Sequence, residues 1–223
     1  FQAEDGIRDS STSRGLGDVY KRQERYESYH RKEDLIPFDL EFFNKITKGG
    51  LPNKTLNIAL AGTGVGKSLF MCHVASSVLL QGKNVLYITL EMAEEKIAER
   101  IDANLLNVPI QQLMDLPEMM FENKVTSIAK KTQGKLIIKE YPTASAHSGH
   151  FKALLNELAL KKSFKPDIIF IDYLNICASS RYRANASVSS YSYIKAIAEE
   201  LRGLAVEANV PIVSATQTTR SGY

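Results

Sequence analysis

The string Ala61-Gly62-Thr63-Gly64-Val65-Gly66-Lys67-Ser68 carries the densest chemistry in the chain. It fits the phosphate-binding pattern G-x-x-x-x-G-K-[ST], with Ala61 at the first glycine position. Glycines let backbone N–H groups turn inward around phosphate oxygens, and a helix that starts there adds partial positive charge. In this pattern Lys67 reaches the β- and γ-phosphates of ATP and the Ser68 hydroxyl ligates Mg²⁺. Alanine at position 61 is compatible with that use if its φ is negative, because only the later glycines approach phosphate. The plainer alternative is a Gly-rich turn with an exposed lysine.

Three more polar residues stand at the ends of apolar runs. Asp172 closes Asp167–Asp172, and such a carboxylate holds Mg²⁺ or its water in nucleotide sites. Glu91 follows Asn84–Leu90, and Gln217 comes two residues after Val210–Ala215. In an open α/β sheet, ligands bind outside the carboxyl ends of the strands, so the phosphate loop, Glu91, Asp172 and Gln217 are expected to converge. Glu91 could then act as the base that orients water, and the Gln217 amide could sense the γ-phosphate. Each has a plainer reading. Glu91 could be an acid favouring the following helix N-terminus, and Gln217 a loop amide.

The stretch 178–193, ASSRYRANASVSSYSY, holds Arg181, Arg183 and three tyrosines and has no acid. Arginine neutralises phosphates and tyrosine stacks on bases, so it is a candidate for single-stranded DNA; an ordinary surface loop has the same composition. His73, within an apolar helix, reads as packed. His147 and His150 flank Gly149 without a third ligand, and no metal is assigned to them.

These residues need elements to hold them. Short apolar runs at Thr55–Ala61, Asn84–Leu90, Lys135–Lys139, Asp167–Asp172 and Val210–Ala215 read as parallel strands covered on both faces. Between them, Asp39–Ile46, Gly66–Leu80, Met92–Leu106, Pro117–Lys131, Ser148–Lys161 and Ser189–Glu207 read as helices, with Gly82 and Asn209 as stop signals. The alternation predicts a doubly wound α/β fold.

Composition agrees with a globular protein: hydrophobic residues make up 44% and charged residues 24% of 223. The balance of 28 basic against 25 acidic side chains neither demands nor excludes nucleic acid. No apolar run is long enough to span a membrane. Two cysteines in apolar segments suit a reduced, intracellular chain rather than a disulfide scaffold. Residues 1–23 lack any apolar period and resemble a translated sequencing adapter, so they are set apart from the fold as a scar; 24–35 reads as a linker.

From Ile36 to Tyr223 the sequence resembles the ATPase domain of DnaB-type replicative helicases, in the version of T4-like phages. The carriers are Gly49-Gly50-Leu51, AGTGVGKS, Ile88-Thr89-Leu90-Glu91-Met92, Ile171-Asp172-Tyr173-Leu174-Asn175 and Ser214-Ala215-Thr216-Gln217-Thr218-Thr219-Arg220. The resemblance implies a RecA-like P-loop NTPase core. It implies a ring of six subunits that hydrolyses ATP with Mg²⁺ and moves 5′ to 3′ on single-stranded DNA, in the host cytoplasm if phage-encoded. Primase and a helicase loader are implied partners. Glu91 takes the place of the family's catalytic base, with Asp172 and Gln217 matching its aspartate and glutamine. The stretch after Asp172-Tyr173-Leu174 corresponds to a DNA-facing loop. A RecA-like sheet predicts the strand order Lys135–Lys139, Asn84–Leu90, Asp167–Asp172, Val210–Ala215, Thr55–Ala61. The family's collar domain and arginine finger find no match, and the domain is expected to be truncated on its C-terminal side. The alternatives are a RecA- or RadA-like recombinase ATPase, a small-molecule kinase and a non-catalytic assembly module.

Overall fold

Alternating strands and helices dominate the computed structural model, which describes residues 34–113, 115–132, 134–182 and 188–217, with Lys21, Arg22, Glu24 and Tyr26. The chain divides into two units, Phe1–Asp34 and Leu35–Tyr223. In the first, Lys21, Arg22, Glu24 and Tyr26 are helical, and most of the adapter-like and linker segments lie outside the described residues.

In the second unit, five parallel strands form one sheet: β1 (Leu56–Ala61), β2 (Val85–Thr89), β3 (Leu136–Glu140), β4 (Ile168–Asp172) and β5 (Ile212–Gln217). Their order is β1-β5-β4-β2-β3, as the sequence predicts. The helices are α1 (Glu41–Ile46), α2 (Lys67–Leu80), α3 (Glu94–Leu106), α4 (Ile110–Leu113), α5 (Glu118–Lys131), α6 (Ser148–Lys162) and α7 (Ser190–Ala208), with a 3₁₀ turn at Leu174–Ile176. Short α4 and the 3₁₀ turn have no counterpart in the sequence reading. β5 starts at Ile212 rather than Val210 and runs on to Gln217, so this glutamine ends a strand instead of following one.

Side chains alternate between the two faces of the sheet. Val85, Tyr87, Ile168, Phe170 and Val213 join a core with α2 and α3. Leu86, Ile88, Ile169, Ile171 and Ile212 join a second core with α6 and α7. β2 and β4 are buried along their whole length, which is why their sequences are apolar up to the closing Thr89 and Asp172.

Local signals fix where the helices begin and end. Ser189 accepts from Ser192 N–H at 3.2 Å to open α7, and Asn209, at φ 56°, ends it. Asn107 ends α3 in the same left-handed conformation. His147 and His150 cap α6 reciprocally: His147 Nδ1 accepts from Gly149 N–H at 3.0 Å, and His150 Nδ1 from His147 N–H at 3.2 Å. In the described structure the pair opens the helix, closing its N-terminus as a capping box. His73 corrects the expectation of a packed histidine. It is about one-third exposed, with Nε2 at 2.7 Å from Asp39 Oδ2 and Nδ1 at 3.1 Å from Asn104 Oδ1. An imidazole with acceptors on both sides ties α2 to α3 and to the segment before α1.

Candidate active site

Strand register brings the polar residues to one rim. Ala61 pairs with Gln217, and Thr89 with Asp172, so the carboxyl ends of β1, β5, β2 and β4 lie level. A cavity of about 270 Å³ opens there, lined by Lys67, Ser68, Glu91, Gln217 and Arg100 with the loop residues Thr63, Gly64 and Gly66.

The loop has the geometry that its glycines permit. Gly64 sits at φ 73° and Gly66 at φ 100°, conformations costly for any residue with a Cβ. Ala61 closes β1 and is not among the residues with positive φ, which meets the condition for alanine there. α2 begins at Lys67, so its first N–H groups face the cavity end of the loop. Lys67 Nζ donates to Gly62 O at 3.0 Å and to Ala61 O at 3.4 Å and lies 5.8 Å from the centre of the Tyr173 ring. Sequence reasoning passed over Tyr173; its place directly after Asp172 was the available signal. Burial, then the charges of Glu91 and Asp172, push its phenol pKa up.

Glu91 lies in the turn between β2 and α3, and its neighbours are pinned. Thr89 Oγ1 accepts from Met92 N–H at 3.1 Å and donates to Met92 O at 2.7 Å. Leu90 N–H donates to Asp172 O at 2.9 Å, and Thr143 Oγ1 to Leu90 O at 2.7 Å. The acids in the first turn of α3 are Glu94 and Glu95, so the helix-favouring role falls to them and not to Glu91. Glu94 is locked further: its N–H donates to Glu140 Oε2 at 3.2 Å, and Glu140 N–H to Glu94 Oε1 at 2.8 Å.

Asp172 is fully buried. Tyr87 Oη donates to its Oδ2 at 3.0 Å, and Cys72 Sγ contacts Tyr87 Oη at 3.8 Å. Burial raises the Cys72 thiol to about 11 and pushes the Tyr87 phenol well above its ordinary value, so both stay protonated as donors. Among the described residues, Asp172 Oδ1 has no partner. A buried carboxylate oxygen left without a donor is a place for a cation or its water.

Arg181 and Arg183 fare differently. Arg181 forms an ion pair with Glu199 on α7, while Arg183 lies outside the described residues. Glu200 holds the base of this stretch: its carboxylate accepts from Ser179 Oγ at 2.6 Å, Ser180 N–H at 3.0 Å and Ser148 Oγ at 3.0 Å. Ser179 N–H donates to Tyr193 Oη at 3.2 Å, so this tyrosine is engaged in structure.

A parallel α/β sheet with a glycine loop, a lysine and a serine at one strand end, and acids at the neighbouring ends, defines a phosphate-loop nucleotide-binding domain. The DnaB-like helicase C-terminal domain matches residues 36–222, and the chain belongs to that family. A DnaB-like replicative helicase of Enterobacteria phage T4 is 48% identical over 202 residues, covering 89% of this chain and 42% of the relative. A probable plasmid replicative DNA helicase of Chlamydia psittaci is 31% identical over 165 residues, 73% of this chain and 34% of the relative. The chain thus spans less than half the length of either curated relative. In fold it is similar to a solved DnaB-like replicative helicase, described with its interactions with primase. The TM-score is 0.68 at 19% identity, over 93% of this chain and 48% of that one.

Proposed function

We propose that residues 36–223 form the motor domain of a replicative DNA helicase, with 24–35 as linker and 1–23 outside the native fold. In this reading the domain hydrolyses ATP to move along single-stranded DNA as a ring of six, in the cytoplasm of a host cell. The observation that carries it is the single cavity shared by Lys67, Ser68, Glu91 and Gln217, with the unpartnered Oδ1 of Asp172 at the end of the adjacent strand.

The glycine loop and the N-terminus of α2 bind the phosphates, and Lys67 exchanges its loop carbonyls for β- and γ-phosphate oxygens. Ser68 and Asp172 are the residues that would hold Mg²⁺, which would supply charge neutralisation on the phosphates. Among the described residues no cluster of three His, Cys, Asp or Glu side chains could hold a metal. Glu91 orients a water for in-line attack and takes its proton, while Gln217 donates its amide to the γ-phosphate. Arg181 and Arg183 contact the DNA backbone. Primase and a loader are the partners of this reading; a primase interaction is described for the similar solved helicase. No described helix is long and apolar enough to cross a membrane.

A RecA- or RadA-like recombinase would share the same core. The helicase family's match along 36–222 favours the motor. The test is made on the chain extended to the length of its relatives. DNA-stimulated ATP turnover with displacement of an annealed strand supports the reading, and strand exchange without displacement overturns it.

A further inference from the structure

The Asp172 carboxylate is held from one side only. Its backbone is fixed first: Thr89 stands opposite it in the register, and Leu90 N–H donates to Asp172 O at 2.9 Å. The same register sets Tyr87 opposite Phe170, two residues before Asp172 and on the same face of β4. The two rings stack at 5.6 Å with 11° between their planes, and the Tyr87 hydroxyl reaches Asp172 Oδ2 at 3.0 Å. An ionised carboxylate only accepts, so the phenol donates in this bond. Its oxygen remains free to accept, and Cys72 Sγ on α2 donates to it at 3.8 Å. Thiol, phenol and carboxylate thus form one directed chain from α2 through β2 to β4. All three residues are buried, so solvent does not stand in for a missing member.

The other hydroxyls on the flanking strands are committed elsewhere. Thr89 Oγ1 donates to Met92 O at 2.7 Å, and Ser214 Oγ to Ile171 O at 2.7 Å. Among the described residues, Tyr87 is therefore the donor that fixes the Asp172 side chain. The matter is one of orientation. The last torsion of an aspartate is soft, and a carboxylate without partners turns about it. Pinning Oδ2 removes that freedom and sets the direction of Oδ1, the oxygen left open. Groups that bind metal are oriented by outer hydrogen bonds of this kind.

We propose that Tyr87 is a positioning residue for the divalent cation of the nucleotide site. By holding Oδ2 it presents Oδ1 to the cation or to its bound water, and Cys72 steadies the phenol in that task. This rests on the nucleotide and Mg²⁺ reading given above. The test measures how far Mg²⁺ tightens nucleotide binding. A fluorescent non-hydrolysable ATP analogue is titrated into the 223-residue chain in Mg²⁺ and again in EDTA, and the ratio of the two affinities is compared for the parent, Y87F and D172N. The parent should bind more tightly in Mg²⁺, and D172N should lose that gain. Y87F is expected to cut the gain about tenfold, the lower end of what losing an outer partner costs a metal site, with parent-like affinity in EDTA. If Tyr87 only packs the core, binding weakens alike with and without Mg²⁺, and that unchanged ratio overturns the proposal. If Y87F binds nothing in EDTA, its fold is damaged and C72A decides. A reduced ratio in C72A then supports the proposal, and a parent-like ratio overturns it. A parent that binds no nucleotide overturns the site reading and this proposal together. A parent without any gain from Mg²⁺, or a D172N that keeps the whole gain, overturns the metal assignment and this proposal with it. A gain that D172N abolishes and Y87F leaves intact overturns this proposal alone.

Discussion

The phenol of Tyr87 on β2 donates to Asp172 Oδ2 on β4 at 3.0 Å, inside a sheet that excludes water from both groups. The bond leaves one carboxylate oxygen satisfied and the other, Oδ1, open. Tyr87→Phe keeps the ring stacked on Phe170, 5.6 Å away, and removes the hydroxyl that donates to Asp172 and meets the Cys72 thiol. A buried acceptor without a partner costs about 1–3 kcal/mol, and urea denaturation should read a loss of that size. An unchanged midpoint would show that Asp172 is satisfied in another way.

Lys67→Ala should abolish nucleotide binding or turnover in a version of the chain extended to the length of its relatives. In the proposed reading the lysine neutralises charge on the β- and γ-phosphates, and electrostatic stabilisation is the principal contribution in phosphoryl transfer. Undiminished DNA-stimulated turnover would remove the loop from the mechanism.

Glu91→Gln keeps the shape of the side chain and loses the proposed base. In the extended protein, nucleotide should still bind while hydrolysis falls by about 10²-fold or more. Lost affinity with normal turnover per bound ATP would make Glu91 a structural acid.

In the proposed reading, Arg181 would reach DNA only by leaving Glu199. Glu199→Gln should therefore tighten single-stranded DNA binding, and Arg181→Ala should weaken it and lower the salt slope by about 0.7 for the lost phosphate contact. If neither substitution moves affinity or slope, the DNA path lies elsewhere.

Glu200 provides the pH test. Partial burial raises its pKa, but bonds from Ser179, Ser180 and Ser148 outweigh that and hold it below the usual carboxylate range. A depressed folded-state pKa contributes stability that is present above the unfolded value and lost as pH falls through the folded one. Glu200→Gln should lower Tm at pH 7 by about 2–4 °C, the shift for roughly 1 kcal/mol in a chain of this size. The gap from the parent should close as pH drops below about 4. A gap that persists under acid would assign the effect to shape rather than charge.

Much of this was legible because the sheet is buried on both faces. β2 and β4 are apolar up to their closing residues, Thr89 and Asp172, and the site residues Asp172 and Glu91 stand at or just past those ends. What escaped depends on pairing across the fold. Tyr87 reads as one more core residue until β4 places Asp172 beside it. Arg100 is an ordinary polar position on a helix until α3 packs over α2. The partnership of Arg181 with Glu199 joins a loop to a helix 18 residues on, and neither spacing nor composition announces it. His73 misled because apolar neighbours in sequence do not fix how far a helix edge is covered.

The eight residues that follow Asp172 are fastened at nearly every step. Asn175 Oδ1 accepts from Thr216 Oγ1 at 2.6 Å, Ala144 N–H donates to Ile176 O at 2.9 Å, and Ala178 N–H donates to Ala146 O at 2.8 Å. Thr216 sits next to Gln217, so one end of this strut is clamped to the strand that carries the amide. The other end carries Ser179 and Ser180, held by Glu200 on α7. A segment so short and so cross-braced behaves as a lever with fixed bearings, not as a tether. A displacement of β5 relative to β4 at the phosphate rim would be delivered, with little slack to absorb it, to the root of the arginine-bearing loop.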